Sequence, residues 1–287
     1  MDQIPKWFNG IRTNYAENML FSPSPTSKST RSTHLKPDNV IAVTQVREGS
    51  SDIRHVSWGE LRRRAALFTS ALRAHGVRKG DRVAVVASNS VDTLCVFLSI
   101  TAIGGMFSSS STDMGTNGVL DRLRQVKPKW AFVDDSALYN GKVIDLRTKM
   151  GEIVSGMKDI SEFQGIISVP RWEKAADVSK VDKCLTLHDF LSKGNDQVSE
   201  LKFERVDFND PYLIVYSSGV SPISFLPGPV AWPGFPVVPP TSQAIRHILA
   251  VRNSQTADVC LFLALRAWCS PWHFPDSTRA LRISGFV

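Results

Sequence analysis

The sequence predicts an α/β fold, a mostly parallel sheet with helices on both faces, followed by an irregular proline-rich tail. Three observations predict it. From residue 39 to 219, short apolar runs alternate with amphipathic stretches of ten or more residues, the pattern of β–α–β crossovers. The run Asp81–Ala87 is almost continuously apolar, as strands buried on both faces are. After Gly219 the composition changes: the last 68 residues hold nine of the sixteen prolines and no Lys, Glu, Tyr or Met.

Each element has its own justification. The β-branched run Asn39–Val46 predicts a strand. Ser57–His75 predicts a helix: Ser57 can N-cap it, Glu60 completes a capping box, and Gly76 supplies a stop. Asp81–Ala87 predicts a strand, and Val91–Ile103 a helix ended by Gly104-Gly105. Met106–Ser109 is the next strand. Asn117–Val126 is a helix with Val119, Leu120, Leu123 and Val126 on one face. Trp130–Val133 is a strand ending at Asp134-Asp135, and Ile144–Met157 a helix. Gly165–Val169 is a strand closed by Pro170, Leu185–Leu191 a short helix and Tyr212–Tyr216 the last strand. The stretch Phe21–Lys36, rich in Ser, Thr and Pro, predicts a loop or linker. In the tail, prolines exclude regular sheet or helix over 222–240. Gln243–Arg252 and Val259–Trp268 are candidate short helices, and the tail is otherwise expected to be disordered or loosely packed. The expected division is 1–38, 39–219 and 220–287.

Bulk properties exclude several classes. With 43% hydrophobic and 21% charged residues, the 287-residue chain has the balance of a globular protein. Its net charge of +7 is spread along the chain. The basic run Arg62-Arg63-Arg64 sits in the amphipathic pattern of Leu61, Ala65, Phe68 and Leu72, which predicts a solvated face rather than a nucleic-acid surface. Cys95, Cys184, Cys260 and Cys269 form no C-x-x-C pair, which argues against zinc and a disulfide framework. No signal peptide and no apolar run long enough to span a bilayer is visible, so a cytoplasmic location is expected.

Among motifs, no G-x-G-x-x-G, G-x-x-x-x-G-K-[ST] or G-x-S-x-G occurs. Ser108–Thr112 reads as a strand-end loop rather than a nucleophile cluster, since no histidine lies near it in sequence. Asp134-Asp135 reads as polar strand-end residues rather than a metal pair. At Tyr216-Ser217-Ser218-Gly219 a strand runs into small hydroxyl-bearing residues and a glycine. Such a junction can present backbone N–H groups and hydroxyls to a phosphate.

The segment Lys6–Leu20 (Lys-Trp-Phe-Asn-Gly-Ile-Arg-Thr-Asn-Tyr-Ala-Glu-Asn-Met-Leu) resembles the W-F-x-G-x-x-x-N-Y-A-E-N-L-L signature of acetoacetyl-CoA synthetases. These form a branch of the adenylate-forming acyl-CoA synthetase superfamily. Val56–Leu61 and Gly76–Val83 are similar to the superfamily at large. Gly115–Lys129 and Tyr139–Lys142 resemble the acetoacetyl branch, and Tyr216–Gly219 the start of the Y-S-S-G-T-T-G-x-P-K loop. The resemblance runs over roughly residues 5–219. It implies a partial large N-terminal domain of an adenylate-forming enzyme, ATP, Mg2+ and coenzyme A as cofactors, and a small acid such as acetoacetate as substrate. It implies phosphate-binding roles for Ser217, Ser218 and Gly219, and assigns no catalytic residue and no metal ligand.

The rest of that loop has no counterpart in Val220–Phe225, and no lysine follows residue 202. The expectation is therefore a truncated, catalytically incomplete member of the family. The alternative is a non-catalytic nucleotide-binding or regulatory fragment. Codons for Val220-Ser221 can spell a splice-donor consensus. A retained intron would place the motif break and the composition change at one residue, which transcript sequencing across Gly219 tests.

Overall fold

A computed structural model describes residues 8–27, 30–47, 53–194, 201–216, 230–232 and 281–284. In chain order the principal elements are α1 (Tyr15–Leu20), α2 (Trp58–Ala74), β1 (Arg82–Val86), α3 (Val91–Ile103), β2 (Met106–Ser110), α4 (Thr116–Val126) and β3 (Trp130–Asp134). Then come α5 (Arg147–Gly156), β4 (Gly165–Val169), β5 (Cys184–Thr186), α6 (Leu187–Ser192), β6 (Leu213–Val215) and β7 (Val230–Trp232). The strands form one sheet in the order β5-β4-β3-β1-β2-β6-β7. Every neighbouring pair is parallel except β6 with β7.

The period-2 alternation of a strand sends its side chains to two separate cores. Val83 and Val85 of β1 join Phe132 and Ile167 in the core beneath α2, α3 and α6. Ala84 and Val86 join Ala131, Val133 and Ile166 in the core beneath α4 and α5. Strands buried on both sides must be apolar throughout, which is why Asp81–Ala87 carries so few polar residues. Phe190 of α6 is fully buried, stacks on His75 at 4.4 Å and meets Phe132 edge-on at 5.3 Å.

Several short elements escape the sequence pattern. The helix α1, capped by Asn14, lies where no element is predicted. Within the predicted loop Phe21–Lys36, Ser22–Pro23 pairs with Arg31–Ser32. Ile53–Ser57 is a strand against Ile41–Val46. The predicted start of a helix at Ile144 is instead a hairpin, Ser136–Tyr139 with Lys142–Asp145, turning through Asn140 and Gly141 at positive φ. Helix α5 starts only after Asp145 accepts from the Arg147 amide. Ser57 caps α2 by accepting from the Glu60 amide at 3.2 Å, but the Glu60 carboxylate takes Arg54 at 2.8 Å rather than closing the box.

Two expectations need correction. The basic run on α2 is not a solvated face: Arg62 is buried, donating to Leu20 O at 3.0 Å, Lys36 O at 2.5 Å and Asp38 Oδ1 at 2.5 Å. Arg64 is paired with Asp92, and only Arg63 of the three faces solvent. Helical spacing marks which face is apolar, but the exposed end of α1 offers carbonyls that a long cation can satisfy from that face's edge. Sheet is also not excluded from 222–240, because Val230–Trp232 pairs antiparallel with β6. The three residues are proline-free between Pro229 and Pro233, so their amides remain available to an edge ladder. Leu281–Ser284 pairs parallel with Ile41–Val46, again inside the stretch expected to be irregular. The candidate helices Gln243–Arg252 and Val259–Trp268 lie outside the described residues.

Candidate functional site

In an open parallel sheet, ligands bind beyond the carboxyl ends of the strands, where the strand order reverses. Here the chain runs from β1 to β2 on one side, then crosses back over β1 to β3. The carboxyl ends of β1, β3 and β4 meet in a polar network. Asp134 Oδ2 accepts from the Ser88 amide at 2.8 Å and from Ser88 Oγ at 2.7 Å. Arg171 Nη1 donates to Ser88 Oγ at 2.8 Å. Asp135 points the other way, accepting from the amides of Arg171 and Ala176 at 3.0 and 2.9 Å and from Ser136 Oγ at 3.0 Å. Consecutive side chains of a strand end face opposite directions, so two adjacent carboxylates serve two different loops.

Asp134 is 2% exposed. Its burial pushes the carboxyl up from 3.8 to about 7, with Asp135 adding to the rise and Ser88 and Arg171 opposing it. Among the described residues no group of three or more His, Cys, Asp or Glu could hold a metal ion. The pair Asp134-Asp135 is accounted for as a brace between loops.

At β2, Ser108 is buried and Ser109 and Ser110 are half-buried at the strand end. The loop that follows is fastened from α5: Lys149 Nζ donates to Thr112 O at 2.7 Å and Met114 O at 2.9 Å. Burial lowers the Lys149 pKa. The amino end of α3 is closed by its own neighbours, with Ser90 Oγ accepting from the Thr93 amide and Gln45 Oε1 from the Val91 amide.

Strand β6 runs beside β2, Leu213 opposite Phe107 and Ile214 opposite Ser108. The residue just after it, Tyr216, turns toward α4. The Tyr216 hydroxyl donates to Arg122 O at 3.1 Å, and the Arg122 guanidinium lies 4.8 Å over the Tyr216 ring. Burial pushes the phenol up to about 12. Ser217, Ser218 and Gly219 lie outside the described residues; they follow Tyr216 in the chain. Sequence reasoning missed Ser88, Lys149, Arg171 and Arg122. Ser88 carried the same signal as Ser108–Thr112, a small polar residue just past an apolar strand. The three cations carried no local signal, since each acts on a loop distant in sequence.

An edge built from hydroxyls, backbone amides and guanidinium groups suits an oxygen anion such as phosphate. Comparison with known proteins shows a family. Residues 30–220 match the model of a family described as AMP-binding enzyme. The acetoacetyl-CoA synthetase of Xenopus tropicalis is 39% identical over 220 residues, 76% of this chain and 31% of that protein. The malonamoyl-CoA synthetase vrtB of Penicillium aethiopicum is 32% identical over 219 residues, 76% of this chain and 29% of that one. The solved acetoacetyl-CoA synthetase from Streptomyces lividans superposes with a TM-score of 0.63 at 31% identity, covering 79% of this chain and 31% of its own. The chain thus spans about a third of the length of the relatives it matches. No helix among the described residues is long and apolar enough to cross a membrane.

Proposed function

The chain belongs to the AMP-binding enzyme family, and from that premise we propose that its carboxyl edge binds the phosphates of ATP for activation of a small carboxylic acid. The reaction such a site serves is acyl-adenylate formation followed by thioester formation, of which we propose that this chain takes only the nucleotide-binding part. A carboxylate oxygen attacks the α-phosphorus and pyrophosphate leaves. The sulfur of coenzyme A then attacks the acyl carbon and AMP leaves. ATP supplies the leaving group and enters with Mg2+. Ser217, Ser218 and Gly219 would meet its phosphates through hydroxyls and backbone amides. Acetoacetate is the acid we propose, on the resemblance of Gly115–Lys129 and Tyr139–Lys142 and on the synthetases matched above.

The observation that carries this reading is the placement of β6. It lies parallel beside β2 and is followed by Tyr216 at the same sheet edge as Ser88 and Ser110. After Gly219 the sequence departs from the phosphate loop it began. We therefore propose nucleotide binding without completed adenylation for this chain, with residues 39–219 as the binding unit. We place the chain in the cytoplasm, where ATP and coenzyme A are both available. Calorimetry with Mg-ATP, followed by acetoacetate-dependent ATP–pyrophosphate exchange, tests this. Binding without exchange is expected. Exchange above background would refute the incompleteness, and absence of ATP binding would refute the nucleotide site.

A further inference from the structure

Deepening that reading and resting on it, we infer that Arg122 of α4 contacts the phosphate oxygens of the bound nucleotide. The inference comes from a contrast among the arginines. Arg31 is paired with Glu17, Arg62 with Asp38 and Arg64 with Asp92. Arg82 donates to the carbonyls of Val126 and Lys127, and Arg73 to that of Lys202. Arg122 is half-buried as well, yet its guanidinium donates to no described residue and has no described carboxylate within salt-bridge distance. Its one recorded partner is the Tyr216 ring beneath it. Burial lowers its pKa with nothing but the weak influence of Tyr216 in opposition.

A half-buried guanidinium with no anion beside it is less well compensated than a paired one, which leaves it available to an anion that arrives. A guanidinium lying over an aromatic ring has its plane oriented by the ring, and its edge N–H groups stay free. That leaves the fork required for two-point recognition of phosphate. Tyr216 does double service: its ring carries the guanidinium, and its hydroxyl ties the α4 backbone to the end of β6. Ser217 follows directly in the chain. The cation is thus fastened, through one side chain, to the residue that immediately precedes Ser217 in the chain.

Binding of ATP, sodium pyrophosphate, coenzyme A and adenosine to the whole chain, by calorimetry at low salt, tests the assignment. Arg122→Gln should weaken ATP and pyrophosphate about tenfold, the worth of one charge-assisted hydrogen bond, and leave adenosine unchanged. Arg122→Lys keeps the charge without the fork and should recover part of the affinity. Tyr216→Phe keeps the ring and should weaken ATP by less than Arg122→Gln does. The thermal midpoint of Arg122→Gln should stay close to the parent's, since the guanidinium donates to no described residue and the change removes only its stacking on the Tyr216 ring. Equal ATP affinity in parent and Arg122→Gln overturns this inference and leaves the proposed function standing. A loss confined to coenzyme A also overturns it, because the nucleotide phosphates are then not its partner. No ATP binding by the parent overturns both.

Discussion

Replacing Asp134 with Asn should change how stability depends on pH more than it changes the structure. The carboxyl of Asp134 is 2% exposed, and burial raises it from 3.8 to about 7. At 1.36 kcal/mol per tenfold, that rise corresponds to about 4 kcal/mol, an upper bound because relaxation around the charge reduces it. The sign follows from proton counting. Between pH 4 and 7 the folded chain holds a proton on Asp134 that the unfolded chain has lost, so this group's contribution to stability falls as pH rises through that window and is flat above it. The charged and titratable groups facing it are Arg171 from the loop after β4 and its own neighbour Asp135. Asn has nearly the same volume, and its Oδ1 can still accept from the Ser88 amide, so the brace persists without the charge. Urea unfolding followed by tryptophan fluorescence, at half-unit steps from pH 4 to 8 on parent and Asp134→Asn, isolates the effect. The difference in unfolding free energy should move by about 2–4 kcal/mol in favour of Asp134→Asn as pH rises. Parallel curves for the two chains would refute the reasoning, since Asp134 would then titrate alike folded and unfolded.

Two further substitutions probe the scaffold of the site. Gly165→Ala places a methyl against the backbone carbonyl of Lys183 at φ +150, where neither partner is a movable side chain. Loss of about 3 kcal/mol or more, with opening of the β4–β5 pairing in hydrogen exchange, is expected; a loss below about 1 kcal/mol would contradict the close approach. Lys36 Nζ donates to the carbonyls of Asn18, Met19 and Phe21 at 2.8, 2.8 and 2.9 Å, so Lys36→Met should cost about 2–3 kcal/mol at pH 7 by stranding them. Burial, and then Arg62, lower the Lys36 pKa from 10.5 to about 8. The unfolded chain therefore keeps a proton that the folded one loses between those values, and the Lys36 contribution rises with pH there. Urea unfolding at pH 7.5 and 10 should show that rise in the parent and not in Lys36→Met.

What the sequence makes legible is burial, and what it hides is partnership. Val83, Val85 and Phe132 read as core because a strand covered on both faces has no polar side to show. The helices read correctly where an apolar stripe repeats, as at Val119 and Leu123. The hairpin at Ser136–Asp145 does not, because it packs on neither core and its Val143 and Ile144 stay exposed, so apolar spacing there reports nothing about a buried face. Arg62 reads as solvent-facing because its neighbours define a helix edge, while the α1 carbonyl it satisfies lies 42 residues away.

The same separation governs the site. Ser88 and Asp134 are 46 residues apart and meet only because β3 crosses back to lie beside β1. Tyr216 and Arg122 are 94 apart and meet only because β6 docks on β2 with α4 on that face. A motif can announce a loop of the kind proposed for Ser217–Gly219, whose ligand contacts would be its own backbone. It cannot announce a cation on a helix far earlier in the chain, such as the Arg122 proposed here for the same ligand. The guanidinium of Arg122 stands out only when Arg31 and Arg64 have been matched with their carboxylates and Arg82 with its carbonyls, and that matching requires the fold.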